Sequence, residues 1–476
     1  MLEVSLAKNV LIFLQVTVLG FASAAFAANA SSVVRLKPDQ DFASIIKNAP
    51  AGSQFEFAAG DYRMASITPK TGDSFRGNGQ AVLNGAKLVT FRQDGKLWSI
   101  SEQLGRSRNG SCEPSRPACL ILNDLFIDDK LQTLVLDRSQ LTVGTWYYDQ
   151  ASLKAYISVD PTGHKVELGS APLAFAGSAT DVTIDGFTVE KYANSPQTGA
   201  VGGYNGSAHS WIIRHVETRW NHGVGIAVGS NSIIQSSNSH HNGQLGMAAH
   251  GENIQILDNT ISNNNYAGFK IVWEAGGTKF SGSDHLLVRG NVVEANYGNG
   301  LWTDIDNIHV VYEKNRVLNN TGAGIVHEIS YDAVIRNNFV SGNRVGIIII
   351  LSSNVQAYGN VVEVPPNGTD AIRVANGNRG EGKFGPYVAH DIRVYDNIIT
   401  FLGSSGRSGL SGPLDTARNV VFENNQYHLL GGGNAHWIWG SPNPVPLSEV
   451  QRVGSDKGAK VSREPAKMID PTRSPE

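Results

Sequence analysis

Charged residues are scarce in this sequence. Asp, Glu, Lys and Arg make up 17% of the 476 residues, and the formal net charge is only −3. Binding to nucleic acid calls for a basic patch that neutralises phosphates. The charge balance therefore gives no reason to expect a nucleic-acid partner. The 52 glycines favour instead a fold with many tight turns.

Long hydrophobic runs are missing after the N-terminus. The apolar segment at residues 10–19 follows Lys8 and precedes an A-x-A site at residues 25–27. This pattern is typical of a secretory signal peptide, whereas a membrane-spanning helix needs about 20 apolar residues. We therefore predict a signal peptide at residues 1–27, cleavage after Ala27, and a secreted or periplasmic protein with no membrane span.

Cysteine is nearly absent, since the chain contains only Cys112 and Cys119. Two cysteines without a neighbouring histidine make a poor zinc site. In an exported chain a disulfide is the expected state of such a pair. We predict a structural disulfide between them.

A repeat of just over twenty residues runs through the second half of the chain. Apolar strands ending in asparagine recur at Asn259 and Asn291, and further asparagines follow at intervals of 24, 23 and 22 residues. Such a period predicts a right-handed parallel β-helix, in which one coil stacks on the next. Stacked asparagines can bond along the column, so we interpret them as structural.

The repeat divides the chain into five parts. We predict an all-β fold with a signal peptide at 1–27, an N-terminal cap with a short helix and the first coils at 28–90, an inserted antiparallel β subdomain at 91–170, the parallel β-helix with its functional coils at 171–430, and a C-terminal tail at 431–476.

Two intervals between asparagines are longer than the rest. The interval before Asn291 has about nine extra residues, which we assign to a loop at 274–283, and Gly377 to Gly385 form a second loop. Insertions in repeat proteins become loops on one face, often the binding face. Both loops are thus expected beside a functional site.

A short phrase occurs twice, at residues 300–305 and 24 residues later at 324–329. Asp304 and Glu328 hold equivalent positions in the two copies. Stacked strands lie about 4.8 Å apart, and a retaining glycosidase needs two carboxyls about 5–5.5 Å apart. Like charges placed opposite each other destabilise a sheet, so a functional reason for the pair is favoured. Proximity should also raise the pKa of one member.

Alternation along the strands predicts which side chains face solvent. The outward set forms an acidic cleft with an aromatic floor and comprises Asp304 and Glu328 with the substrate-binding candidates Trp302, Lys279, Glu274, Lys270, Asp306 and His250. His327 falls on the inward side.

Some members of the cleft allow other interpretations. Glu274 with Lys279 or Lys270 could form an ordinary ion pair. Asp304, Asp306 and Glu274 together offer the carboxylate oxygens that Ca²⁺ takes. We predict no obligatory cofactor and keep Ca²⁺ as an alternative.

Residues 291–338 resemble the active coils of β-helical retaining glycoside hydrolases, a group that includes bacterial β-xylosidases. The matching segments are Trp302-Thr303-Asp304, the residues 327–330 around Glu328, and Asn337-Asn338. The resemblance implies that Asp304 is the nucleophile and Glu328 the acid/base. The whole chain is similar to bacterial right-handed β-helix repeat proteins of the pectate-lyase-like type.

Three functions remain open at this point. The first is a glycoside hydrolase that acts on a polysaccharide or oligosaccharide. The second is a polysaccharide lyase or uronate epimerase, in which Lys279 would be the base and Ca²⁺ on Glu274 and Asp306 would neutralise a uronate. The third is a carbohydrate-binding solenoid without catalysis.

Overall fold

A computed structural model describes residues 33–204, 206–466 and 470–472. The signal peptide predicted for residues 1–27 lies outside the described residues. In the described part of the chain, no helix is long and apolar enough to cross a membrane.

In the described residues, 33 strands form the three sides of a β-helix. They pair in parallel except for Gly203–Tyr204, which pairs antiparallel with Thr198–Val201. We name the sides sheets A, B and C. Four long strands bend at a corner and contribute to two sheets each: Ser74–Asn84 and Thr183–Glu190 to B and C, and Leu245–Leu257 and Gly276–Arg289 to A and B.

The other strands belong to one sheet each. Sheet A contains Thr198–Val201, Gly203–Tyr204, Val224–Val228, Leu301–Asp304, Ala323–Glu328, Val345–Ile350, Asp370–Ala375, Arg407–Ser411 and Trp437–Gly440. Sheet B contains Val34–Leu36, Gln54–Phe57, Ile212–Arg214, Ile233–Gln235, Ile308–Glu313, Ala333–Arg336, Ser353–Tyr358, His390–Tyr395 and Arg418–Glu423. Sheet C contains Gly60–Arg63, Glu217–Arg219, Asn238–His240, Thr260–Ser262, Val292–Glu294, Arg316–Leu318, Phe339–Ser341, Val361–Val364, Ile398–Phe401, Gln426–Leu429 and Lys460–Ser462.

The predicted asparagine ladder runs up the corner between sheets B and C. Each amide donates to the carboxamide oxygen of the next coil, as from Asn291 to Asn315 at 3.0 Å and from Asn315 to Asn338 at 3.0 Å. The residue before each ladder asparagine adopts the left-handed backbone, as at Lys314 (φ 55°), and the asparagine itself does not. A second ladder, which the repeat analysis missed, includes Asn296 and its partners in other coils.

Glycines line a tight column in sheet A. A Cβ on Gly300 would lie 2.7 Å from the carbonyl oxygen of Gly324, and one on Gly277 would lie 2.6 Å from that of Gly300. In sheet A, the strand before Leu301–Asp304 therefore begins at Gly276, and not at Gly268 as the outward position predicted for Lys270 would require. The predicted loop at 274–283 is likewise wrong, because these residues belong almost entirely to the strand Gly276–Arg289.

The inserted subdomain forms a separate eight-stranded sheet. Most of its neighbouring strands pair antiparallel, and one pair, Lys130–Val135 with Thr145–Asp149, is parallel. A 3₁₀ helix spans Arg138–Gln140. The strands are Ala86–Leu88, Arg92–Asp94, Leu97–Ser101, Leu125–Ile127, Lys130–Val135, Thr145–Asp149, Lys154–Ile157 and Val166–Gly169.

The two ends of the β-helix differ from each other. The helix Phe42–Asn48 lies at the N-terminal end, and Asp41 caps it by accepting from the amide of Ser44. At the other end the coils continue beyond residue 430 through Trp437–Gly440 and Lys460–Ser462, with the helix Leu447–Arg452 between them. The predicted tail at 431–476 therefore still contains parts of the solenoid.

Candidate active site

Asp304 and Glu328 are direct partners on neighbouring strands of sheet A. Asp304 is 8% exposed, and the Glu328 side chain is 18% exposed. Burial raises the pKa of Glu328, and the negative charge of Asp304 raises it further, while Arg379 and Lys279 oppose the rise. The pair therefore combines a carboxyl whose pKa is raised with a second carboxyl directly beside it.

Lys279 connects the acidic residues. Its Nζ lies 2.9 Å from Oδ2 of Asp304 and 3.8 Å from Oε2 of Glu274, and it donates to the carbonyl oxygen of Trp273 at 3.3 Å. The same ammonium lies 4.3 Å from the centre of the Trp302 ring, within the range of a cation–π contact. We call Asp304, Glu328, Lys279 and Glu274 the carboxylate site. Lys279 reaches it from a strand, and not from an overhanging loop as we predicted.

Trp302 faces outward but is not an open platform. The ring is 4% exposed, packs with Ala323, Val326 and Ile348, and is covered by Lys279. The prediction of an aromatic floor for the cleft is therefore wrong, because the Trp302 ring is covered. Covering an indole with apolar side chains and a lysine stem removes its hydrophobic area from water, which explains why the ring is not left free.

Glu274 comes from a segment that leaves the solenoid. Residues 266–275 form the real insertion before Gly276, and they include the short helix Ile271–Glu274. Burial raises the pKa of the Glu274 carboxyl, against the effects of Lys279 and Gln197. Gln197 donates to Glu274 Oε2, and Gln244 donates to the Glu274 carbonyl oxygen at 2.8 Å. The repeat pattern gave no signal for either glutamine.

Lys270 does not belong to the carboxylate site. It precedes that short helix as its N-cap residue, and its side chain is exposed. The alternation pattern predicted an outward strand position for Lys270, which requires a strand that starts at Gly268. Counted from Gly277, the glycine of the column in sheet A, Lys279 takes the position that Lys270 was given.

The inserted subdomain holds the segment 266–275 in place. Cys112 and Cys119 form a disulfide with Cα atoms 5.6 Å apart, and the buried Phe269 packs against both cysteines. The amide of Lys270 donates to the carbonyl oxygen of Ser111 at 2.7 Å. The subdomain is therefore linked through Phe269 to the backbone that carries Glu274.

Arg379 adds a second cation to the site, in contact with Glu328. It lies in the loop between Asp370–Ala375 and His390–Tyr395, and its Nη1 donates to Oε1 of Glu328 at 2.8 Å. The loop also contains the small hairpin of Glu381–Gly382 and Gly385–Pro386. The wide asparagine interval predicted a loop here, but nothing in the sequence indicated which of its residues would reach Glu328.

Asp306 faces this loop instead of the carboxylate site. Its Oδ1 accepts from the amide of Lys383 at 2.9 Å and from the hydroxyl of Tyr387 at 2.7 Å. Asp306 therefore anchors the loop that carries Arg379. In the part of the chain that the structure describes, Asp304, Asp306 and Glu274 do not bring ligand atoms to one point, so the calcium hypothesis has no geometric support.

The two histidines behave differently. His250 is exposed and lines a small pocket with Glu274, Lys279 and Gln197, so the structure places it at the edge of the carboxylate site. His327 points into the core, where its Nδ1 lies 2.9 Å from Oγ1 of Thr303. Burial lowers the pKa of His327 to about 3. His327 is therefore a neutral histidine in the core.

One carboxylate oxygen of the site has no hydrogen-bond partner among the described residues. Within the described residues, Oδ1 of Asp304 is buried and accepts no hydrogen bond, while Oδ2 is paired with Lys279. Buried carboxylate oxygens normally have donors. An unsatisfied oxygen beside a raised-pKa carboxyl is typical of a site that completes its contacts with a substrate.

Comparisons with known proteins agree on the architecture. A family model described as the right-handed β-helix region matches residues 199–362. The chain has the fold of right-handed parallel β-helix proteins, as predicted from the repeat period. No curated protein matches the sequence.

Solved structures show the same fold over nearly the whole chain. The structure described as XylC in complex with xylose is 15% identical with a TM-score of 0.70, and the match covers 91% of this chain and 87% of that one. The A-module of the mannuronan C-5 epimerase AlgE4 of Azotobacter vinelandii is 14% identical with a TM-score of 0.53, covering 85% and 93%. The AlgE6 A-module of the same organism is 14% identical with a TM-score of 0.51, covering 89% and 94%. At these identities the likeness establishes the fold alone.

Proposed function

We propose that this chain is a retaining glycoside hydrolase that acts on a polysaccharide or oligosaccharide, with Asp304 as the nucleophile and Glu328 as the acid/base. The observation that carries the proposal is the strand register, which makes the two residues direct neighbours. Adjacent strands lie about 4.8 Å apart, and retaining enzymes hold their two carboxyls about 5–5.5 Å apart.

The local charges fit the two roles. A general acid must keep its proton near the working pH, and burial together with Asp304 raises the pKa of Glu328. The charge of Asp304 is paired with Lys279 through Oδ2. Its other oxygen, Oδ1, is buried and has no donor among the described residues. The proposal assigns the attack to this atom and requires that substrate binding expose it.

The reaction proceeds in two displacements. In the first, Oδ1 of Asp304 bonds to the anomeric carbon while Glu328 gives its proton to the departing glycosidic oxygen. In the second, the Glu328 carboxylate takes a proton from water, the water oxygen bonds to the anomeric carbon, and the ester to Asp304 breaks. Each displacement inverts the anomeric carbon, so the two together leave its configuration unchanged.

The structural likeness to the xylose complex supports a saccharide substrate, because that protein was solved with a bound sugar. The two epimerase modules are described as acting on mannuronan, which is also a polysaccharide. These comparisons support the class of substrate and leave the choice of sugar to experiment.

Replacement of each carboxylate tests the assignment. Asp304→Ala should abolish turnover of aryl glycosides and of a panel of neutral and acidic polysaccharides. Glu328→Ala should lose about 10²–10⁴-fold of the rate, and azide should restore turnover. The exposed Glu252→Gln is the matched control and should keep wild-type activity. Full activity in both alanine variants, or inversion of the product's configuration, would refute the proposal.

A lyase or uronate epimerase with Lys279 as the base is the second candidate. It is favoured by the position of Lys279 between two carboxylates and by the likeness to the epimerase modules. An ammonium paired with Asp304 has to lose its proton before it can act as a base, which is why hydrolysis is preferred. Mass spectrometry separates the two: a hydrolase adds water across the bond, a lyase leaves an unsaturated product without added water, and an epimerase leaves the mass unchanged.

A further inference from the structure

Two histidines and two aspartates meet at one corner of the β-helix, where sheet A passes into sheet B. His285, His309 and Asp332 occupy the same turn position in three successive coils, and all three have left-handed backbone, with φ of 56°, 53° and 26°. Asp284 directly precedes the first of them. Since none of these residues belongs to the carboxylate site, its proposed chemistry does not explain the cluster.

We propose that Asp284, His285 and His309 form a binding site for a divalent transition-metal ion such as Zn²⁺, with Asp332 orienting one imidazole. Nδ1 of His285 and Nδ1 of His309 each lie 2.7 Å from the same oxygen of Asp284. The three ligand atoms all lie within 4.8 Å of one another.

The spacing suits a tetrahedral ion. Ligand atoms around Zn²⁺, at bond lengths of 2.0–2.1 Å, lie about 3.3 Å apart. The contacts of 2.7 Å would therefore open by less than about 1 Å to admit the ion. The ring centroids lie 4.4 Å apart with an angle of 32° between the planes, and both rings turn Nδ1 toward the same oxygen of Asp284.

Asp332 supplies the outer carboxylate that histidine ligands usually have. Its Oδ2 lies 3.7 Å from Nε2 of His309, the ring nitrogen opposite the one that would bind the metal. A carboxylate there orients the ring and raises its basicity, and losing such a partner typically weakens metal binding 10–100-fold.

The donor set determines the class of ion. Two imidazole nitrogens and one carboxylate oxygen suit Zn²⁺, Cu²⁺ or Ni²⁺, whereas Ca²⁺ and Mg²⁺ prefer oxygen ligands. Three protein ligands leave the fourth position of a tetrahedral ion to water. The side chains of His285 and His309 are 63% and 44% exposed, so the ion can enter directly from solvent. Bound there, it would link two coils of the solenoid.

Asparagine replaces both histidines with little risk to the fold. Asn253 and Asn354 hold the same turn position in other coils, also with left-handed backbone. The double variant His285→Asn/His309→Asn therefore uses a residue that this corner already accepts. The matched control is His215→Asn, since His215 is exposed, has positive φ, and pairs with a single aspartate, Asp185.

Isothermal titration with ZnCl₂ on protein freed of any histidine tag tests the site. We expect one ion per wild-type chain, at least about tenfold weaker binding after Asp332→Asn, and loss of that binding in the double variant. His215→Asn should bind like wild type. Electron paramagnetic resonance with Cu²⁺ should show two nitrogen ligands.

Equal melting temperatures in EDTA would show that the double variant is folded, and Zn²⁺ should raise the melting temperature of the wild type only. Millimolar binding that is the same in wild type and the double variant would mean an adventitious ion only and would overturn the proposal. Binding that is lost equally in His215→Asn would overturn it as well.

Discussion

Replacing Lys279 with methionine removes the ammonium from between two buried acids and keeps the side-chain stem over Trp302. The Lys279 and Asp304 side chains are only 10% and 11% exposed. Breaking a buried ion pair by removing one partner costs about 3–5 kcal/mol, because the other charge is left uncompensated. We therefore expect the free energy of unfolding to fall by about that amount near pH 7.

The loss should shrink in acid, and the sign follows from Glu274. Its folded-state pKa is already raised by burial, and Lys279 opposes that rise. Without Lys279 the pKa rises further, so the folded variant binds more protons than the unfolded chain does. The unfolding free energy of the variant therefore falls as the pH rises from the unfolded-state pKa of Glu274 through its folded-state pKa. It recovers as the pH falls again. The deficit relative to wild type should thus be largest at neutral pH and smaller near pH 4.5.

Urea denaturation followed by far-UV circular dichroism at both pH values measures the effect. The exposed Lys314→Met is the control and should change stability by less than about 0.5 kcal/mol. The double variant Lys279→Met/Asp304→Asn should recover part of the lost stability, since it removes the Asp304 charge that Lys279→Met alone leaves unpaired. A deficit below about 1 kcal/mol at neutral pH, or an equal deficit at both pH values, would refute the reasoning.

Two further outcomes follow from single contacts. Arg379→Gln should move the alkaline limb of kcat/KM to higher pH, because Arg379 holds the pKa of Glu328 down; an unchanged profile would mean that Glu328 is not the acid. Asn315→Ala should lower the unfolding free energy by about 3 kcal/mol, because it leaves buried hydrogen-bonding groups in both neighbouring coils without a partner. The control Asn367→Ala, in an exposed turn, should change the unfolding free energy by less than about 0.5 kcal/mol. Thermal melting that ranks the two asparagine variants equally would contradict the structural role of the ladder.

The sequence contained the strongest signals for features that repeat. The asparagine spacing predicted the β-helix, and the phrase shared by residues 300–305 and 324–329 predicted the neighbouring positions of Asp304 and Glu328. Both predictions depend on strand register, which the repeat spacing sets locally. The alternation of side chains also placed His327 in the core and Trp302 outside it.

The errors arose where the repeat is interrupted. The segments Gly268-Phe269-Lys270 and Gly277-Thr278-Lys279 both look like strand starts. Pattern alone could not choose between them, because Phe269 is buried in either case. In the structure Phe269 packs against the disulfide, while Phe280 after the second segment enters the core of the solenoid.

The sequence by itself determined the coil, its period and the register that makes Asp304 and Glu328 neighbours, because each coil repeats the same local spacing of turn and strand residues. Only the tertiary structure decided what surrounds them. Glu274 is positioned by the inserted subdomain, and Arg379 comes from a loop anchored on Asp306. Such contacts join residues about 50 to 160 positions apart, as from Arg379 to Glu328 and from Ile271 to Glu113, and they depend on how the insertions pack, which no repeat pattern records.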